Sequence, residues 1–164
     1  MNERLLFFVH FRADVMTSPV PPLRIRSLND RPVNPNGQFV LVWMIAFRRT
    51  GWNFTLQRAV ELAKQWKKPL LILEALRCDY PWASARLHRF VLEGMADNAR
   101  RLADLQTRGV TYYPYVERTQ GEGSGLLETL ARQAVAVVAD DFPCFFLPSL
   151  LRVAARQIPV QLEG

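Results

Sequence analysis

Phe39-Val40-Leu41-Val42-Trp43-Met44-Ile45 is an unbroken apolar run. Without a polar residue at every second position it reads as a strand buried on both faces, and such strands belong to parallel sheets covered by helices. Downstream, Trp52, Leu56, Ala59, Val60, Ala63 and Trp66 recur at helical spacing until Pro69 ends the helix. Leu70-Leu71-Ile72-Leu73 is a second buried strand. Leu87, Phe90, Val91, Met95, Ala99 and Leu102 mark a second helix that closes near Gly109. Val110 to Tyr115 reads as a third strand, with Pro114 putting it at a sheet edge or at its own end. A glycine-rich loop, Gly121 to Gly125, is expected to be a flexible connection into a helix carrying Leu126, Leu127, Leu130, Ala131 and Ala134. Val135 to Ala139 is the fourth strand, Phe145 to Arg156 the fourth helix, and Pro159 to Leu162 a short fifth strand. Strict alternation of strand and helix predicts an α/β fold: a doubly wound, Rossmann-like, five-stranded parallel sheet with helices on both faces.

Upstream of Gly37 the pattern changes. Residues 1–36 read as an irregular, partly proline-rich arm, and residues 37–164 as the α/β domain. The run Leu5 to Val9 is interrupted by His10, Arg12 and Asp14 and has no small-residue cleavage site after it, which argues against an export signal. Met16, followed by Thr17-Ser18-Pro19-Val20-Pro21-Pro22, is a candidate natural start. With 164 residues, 49% of them hydrophobic, the chain can bury one ordinary core. It is too apolar for a disordered chain, and no run approaches the roughly 20 apolar residues of a membrane span. Cys78 and Cys144 form neither a disulfide framework nor a metal spacing; they are expected to be small core residues of a protein in a reducing cytoplasm. The net charge of +6 is lopsided. Residues 1–60 hold eight arginines against Glu3, Asp14 and Asp30, while residues 61–164 hold 13 basic and 12 acidic side chains. A one-sided basic patch suits an anionic partner, although a solvated arginine-rich surface would look the same.

In a doubly wound sheet, ligands bind outside the carboxyl ends of the strands where the strand order reverses. Two loops at those ends carry the unusual chemistry: Ala46-Phe47-Arg48-Arg49-Thr50-Gly51-Trp52-Asn53 and Asp140-Asp141-Phe142-Pro143-Cys144-Phe145-Phe146. If the first and fourth strands are neighbours, arginines, an amide, carboxylates and aromatics converge on one crevice, a suitable wall for a flat, polar-edged ring system. Asp141 would serve equally as a helix cap, and Trp52, Phe145 and Phe146 as core. Asp140-Asp141 as an acid–base pair is weakened because adjacent residues point in different directions. Other chemistries lack their motifs. The glycine loop has no Gly-Lys-Ser/Thr ending, the first turn no Gly-x-Gly-x-x-Gly, and no serine sits in a Gly-x-Ser-x-Gly elbow. His88, one residue after an apolar helix position, is expected to face solvent.

Several stretches together resemble the amino-terminal α/β domain of the DNA photolyase and cryptochrome superfamily, closest to the class II deoxyribodipyrimidine photolyases. They are Val42-Trp43-Met44, Arg48 or Arg49 after it, Trp52-Asn53-Phe54-Thr55-Leu56, the helix Arg86 to Met95, and Val137-Val138-Ala139-Asp140-Asp141-Phe142-Pro143. The resemblance covers about residues 23–162. It departs from the class II pattern at Val42, in the order Trp52-Asn53, and in lacking a serine between Phe142 and Pro143. It implies a light-harvesting antenna cofactor, a deazaflavin or a folate, with Met44, Arg48, Arg49, Asn53, Asp141 and Phe142 as the cofactor-binding candidates. It implies no catalytic residue and no metal here, because FAD, the electron-transfer tryptophans and the lesion pocket reside in a helical carboxy-terminal domain that these 164 residues do not include. That domain is then the expected partner, its docking leaving an apolar patch on this one, and DNA a partner of the full-length protein alone. The alternative readings are a stand-alone nucleotide-binding α/β protein, such as an ATP-using transferase, and a domain kept only as an interaction module.

Overall fold

The computed structural model describes residues 19–164. The suggested start at Met16 and the interrupted run around His10 lie outside the described residues. Five strands form one all-parallel sheet: β1 (Phe39–Met44), β2 (Leu70–Leu76), β3 (Val110–Val116), β4 (Ala134–Ala139) and β5 (Leu162–Glu163), in the order β3-β2-β1-β4-β5. The order reverses between β1 and β4, so the expected adjacency holds and the switch point lies between them.

Helices α1 (Phe54–Trp66), α2 (Ala85–Leu102), α3 (Leu126–Gln133) and α4 (Leu147–Gln157) connect the strands. β1 explains the double-sided burial. Val40, Val42 and Met44 pack with Leu56, Ala59 and Leu62 of α1 and Leu102 of α2. Leu41 and Trp43 pack with Ala131 of α3 and with Leu151 and Ala154 of α4. Alternate side chains of one strand therefore feed two cores, which is why polar alternation is missing. β3 is an edge strand, so Pro114 removes no interior ladder donor.

Several boundaries move for local reasons. Trp52 is outside α1, 75% exposed with φ of 52°, because Asn53 takes the cap position. α2 begins at Ala85, where Ser84 Oγ accepts the Leu87 N–H. α4 begins at Leu147 rather than Phe145, whose φ of 56° is left-handed. β5 is delayed to Leu162 because Pro159 has no N–H and Gln161 donates its own to the Pro32 carbonyl of the arm.

The arm wraps the open edge of the sheet. Arg26 and Gly164 exchange backbone hydrogen bonds in both directions, Leu28 N–H donates to the Leu162 carbonyl, and Asn29 Oδ1 accepts from the Leu162 N–H. This antiparallel contact covers a β5 edge that would otherwise present unpaired backbone groups. Both cysteines correct their expectation as core residues. Cys78 is half-buried and Cys144 exposed, because each follows its strand into a loop at the carboxyl end, beyond the helical cover. No described helix is long and apolar enough to cross a membrane.

Candidate functional site at the strand switch point

The loop after β1 is held from across the switch point. Asp140, 1% exposed at the end of β4, accepts N–H groups from Ile45, Ala46 and Phe47 on Oδ2 at 2.8, 2.8 and 2.9 Å. Its other oxygen accepts from Thr55 Oγ1 at 2.9 Å. Asn53 closes the same loop. Its Oδ1 caps α1 through the Leu56 N–H, and its Nδ2 donates to the Phe47 and Arg49 carbonyls. The idea of Asp140 and Asp141 as an acid–base pair is overturned: Asp140 is enclosed, while Asp141 turns away to pair with Arg26 at 2.6 Å.

Arg48 belongs to a buried network. Its Nε donates to the Ile45 carbonyl, one terminal nitrogen to the Ala75 carbonyl at 2.7 Å, and the other to Glu74 at 3.1 Å. Glu74 is fully buried and also accepts from Asn98 Nδ2 at 2.9 Å and the Tyr112 hydroxyl at 2.6 Å. Burial, reinforced by the Glu74 carboxylate, raises the Tyr112 phenol well above its ordinary value.

The open space lies beside these two anchors. A cleft of about 410 Å³ runs between the arm and the ends of β4 and β5, with Phe47, Phe54, Arg24, Arg58 and Asp141 in its walls. Arg24 lies over the Phe54 ring at 4.6 Å, and Arg49 over Phe47 at 5.4 Å. Arg58 is bidentate to Glu163, at 2.7 and 3.1 Å, and also reaches Glu61. The Glu163 contact is the main reason its guanidinium is held above the ordinary value. A larger trough, about 680 Å³, separates the arm from α4 and collects Arg26, Arg31, Arg152 and Arg156 against Asp30.

Of the six candidate ligand residues, Asp141 lines the cleft. Phe142 and Arg49 stand behind it through Phe47, with Phe142 edge-on to that ring at 5.9 Å. Met44 is 1% exposed in the α1–α2 core, and the side chains of Arg48 and Asn53 are engaged by the protein itself. The residues missed are Phe54, Arg24 and Arg58. Phe54 sat in a quoted motif and Arg24 in the basic arm, but nothing local to either stretch brings them together.

Trp52, Phe145 and Phe146 are exposed rather than core. Trp82 from the β2–α2 loop meets Phe145 at 6.1 Å and Phe146 at 6.4 Å, so the carboxyl end of the sheet carries an aromatic rim. His88 is half-buried beside Tyr80, with Nε2 shielded and without a hydrogen-bond partner among the described residues. Cys78, Asp79 and Glu117 bring possible ligand atoms within 4.8 Å of one another. Backbone N–H groups of Cys78, Gly121 and Gly123 donate to Glu117, draw the glycine loop into a turn, and hold its carboxyl below the ordinary range. Burial and Glu117 push the Cys78 thiol up.

Sheet order, helices on both faces and a cleft beside the switch point define a Rossmann-like α/β domain. Its sequence is 37% identical over 117 residues to a deoxyribodipyrimidine photo-lyase of Methanothermobacter thermautotrophicus, a match that covers 71% of this chain and 25% of that protein. The chain is a photolyase-related α/β domain, and it spans about a quarter of the curated relative it matches. No family model matches the sequence. Among solved structures, a universal stress protein family member from Burkholderia pseudomallei aligns over 76% of this chain and 95% of its own, at 19% identity and a TM-score of 0.46.

Proposed function

We propose that the chain is the α/β portion of a light-dependent DNA-repair photolyase of the class II type, acting on cyclobutane pyrimidine dimers in the cytoplasm. The observation that carries this reading is the 37% identity to a photo-lyase over 117 residues. In it the cleft takes a flat antenna chromophore, a deazaflavin or a folate. FAD and the lesion pocket belong to a helical domain outside these 164 residues, and the cofactor itself supplies the electron for repair.

The residues present fit such a ring system. A volume of about 410 Å³ is within the range of small-molecule sites, Phe47 and Phe54 offer aromatic surface, and Arg24 offers a cation at the edge. The exposed rim of Trp82, Phe145 and Phe146 supports a docking face for the flavin domain.

Fluorescence polarisation with 8-hydroxydeazaflavin and with methenyltetrahydrofolate tests the antenna role. A micromolar constant for one of them, about −8 kcal/mol, is the expected result. Failure of both, combined with thermal stabilisation by ATP or AMP with magnesium, would replace this reading with a nucleotide-binding protein.

A further inference from the structure

The three successive N–H groups that converge on Asp140 Oδ2 stand at the turn after the first strand, beside the switch point. Convergent main-chain N–H groups at such a turn are the means by which α/β proteins hold phosphate. Here the oxyanion is the chain's own. It arrives from β4, across the switch point, and among the described residues its four donors are three backbone N–H groups and the Thr55 hydroxyl. At the start of α1, the other customary anion position, Asn53 Oδ1 already takes the Leu56 N–H.

We infer that Asp140 is a built-in oxyanion that fills the main-chain nest of the β1–α1 turn and sets the ligand specificity of the switch point. It excludes phosphate-bearing ligands, nucleotides included, from the backbone of residues 45–47. Any negative charge on a ligand of the neighbouring cleft must instead meet the side-chain cations in its wall, Arg24 foremost. Once its carboxylate is deleted, the nest becomes a site for a small free oxyanion of matching size. The inference rests on geometry within this chain and does not depend on the photolyase reading.

Asp140→Ala removes one carboxylate group, and formate has the size of what is lost. At constant ionic strength, formate should raise the melting temperature of D140A above that in chloride. D140N, whose amide oxygen still fills the nest, and the wild type should show no difference between the two salts. Should D140A be unfolded in chloride, recovery of its circular dichroism by formate reads the same site. A D140A response to formate no greater than that of D140N, or no recovery of an unfolded D140A, would overturn the inference. In the wild-type chain, amide NMR signals of Ile45, Ala46 and Phe47 should stay in place on addition of pyrophosphate. Their movement would show the nest open to phosphate and would equally overturn it.

Discussion

Removing the Glu74 carboxylate should unfasten the loop after β1 and cost a large part of the domain's stability. Glu74 is fully buried and accepts from Arg48, Asn98 and Tyr112. In Glu74→Ala the Asn98 amide and the Tyr112 hydroxyl lose a buried acceptor, at about 1–3 kcal/mol for each group left unpaired. Breaking a buried ion pair from one side costs about 3–5 kcal/mol in total, because the remaining charge is stranded. The Arg48 side chain is 24% exposed, so part of its charge can return to water, while Tyr112 retains a 3.3 Å contact to the Met95 carbonyl and Asn98 a 3.4 Å contact to the Arg48 carbonyl. These reliefs put the expected loss near the lower end, about 3 kcal/mol, against a total of about 5–15 kcal/mol for a domain. With a urea slope of roughly 2 kcal/mol/M, the midpoint should fall by about 1.5 M at unchanged slope. Glu74→Gln should lose less, since its amide can still accept on one side while presenting N–H groups to a donor on the other. Hydrogen exchange supplies a second readout: the amide of Arg48 and its neighbours in the loop should exchange faster in E74A, while α3 and α4 keep their protection. A midpoint shift below about 0.5 M, or roughly 1 kcal/mol, would refute the argument that this network anchors the loop.

A Cβ added at Gly37 would lie 2.3 Å from the Val135 nitrogen and 2.4 Å from the Ala134 carbonyl carbon, both backbone atoms. Gly37→Ala should therefore cost about 3 kcal/mol, the upper part of the overpacking range, and lower the melting temperature by about 6–12 °C; a loss under 2 °C would contradict the close approach. Above about pH 10 the unfolded chain loses its tyrosine proton while folded Tyr112, with its raised value, keeps it. Stability should then fall with rising pH, and this part of the slope, up to about 1.4 kcal/mol per pH unit, should be missing in Tyr112→Phe when urea midpoints are compared from pH 9 to 11.5.

Legibility followed the range of the interactions involved. Residues 39–45 announced a central parallel strand because burial on both faces leaves its mark on consecutive residues. Asn53 and Arg48 stood out as candidates because polar residues beside an apolar strand end are conspicuous in a sequence. Their partners are not conspicuous: Arg48 answers to Glu74, 26 positions away. Glu74 itself passed unnoticed inside a strand-like run. Trp52, Phe145 and Phe146 misled in the opposite direction, since an aromatic at helical spacing signals core only when a helix continues through it. Left-handed φ values at Trp52 and Phe145 end that continuity.

The alternation of strand and helix was set by local chemistry, and it sufficed for a doubly wound parallel sheet, because side-chain periodicity and prolines act over a few residues. The motif series likewise carried the relation to the photolyases, since relatedness is written in residue order. The site was decided elsewhere. Asp140 reaches the β1 loop across 93 to 95 positions, Arg58 reaches Glu163 across 105, and the arm forms one wall of the cleft by pairing with the last strand of the sheet. Those contacts depend on which strands lie side by side and on which donors remain unsatisfied when they do. Only the assembled sheet settles either.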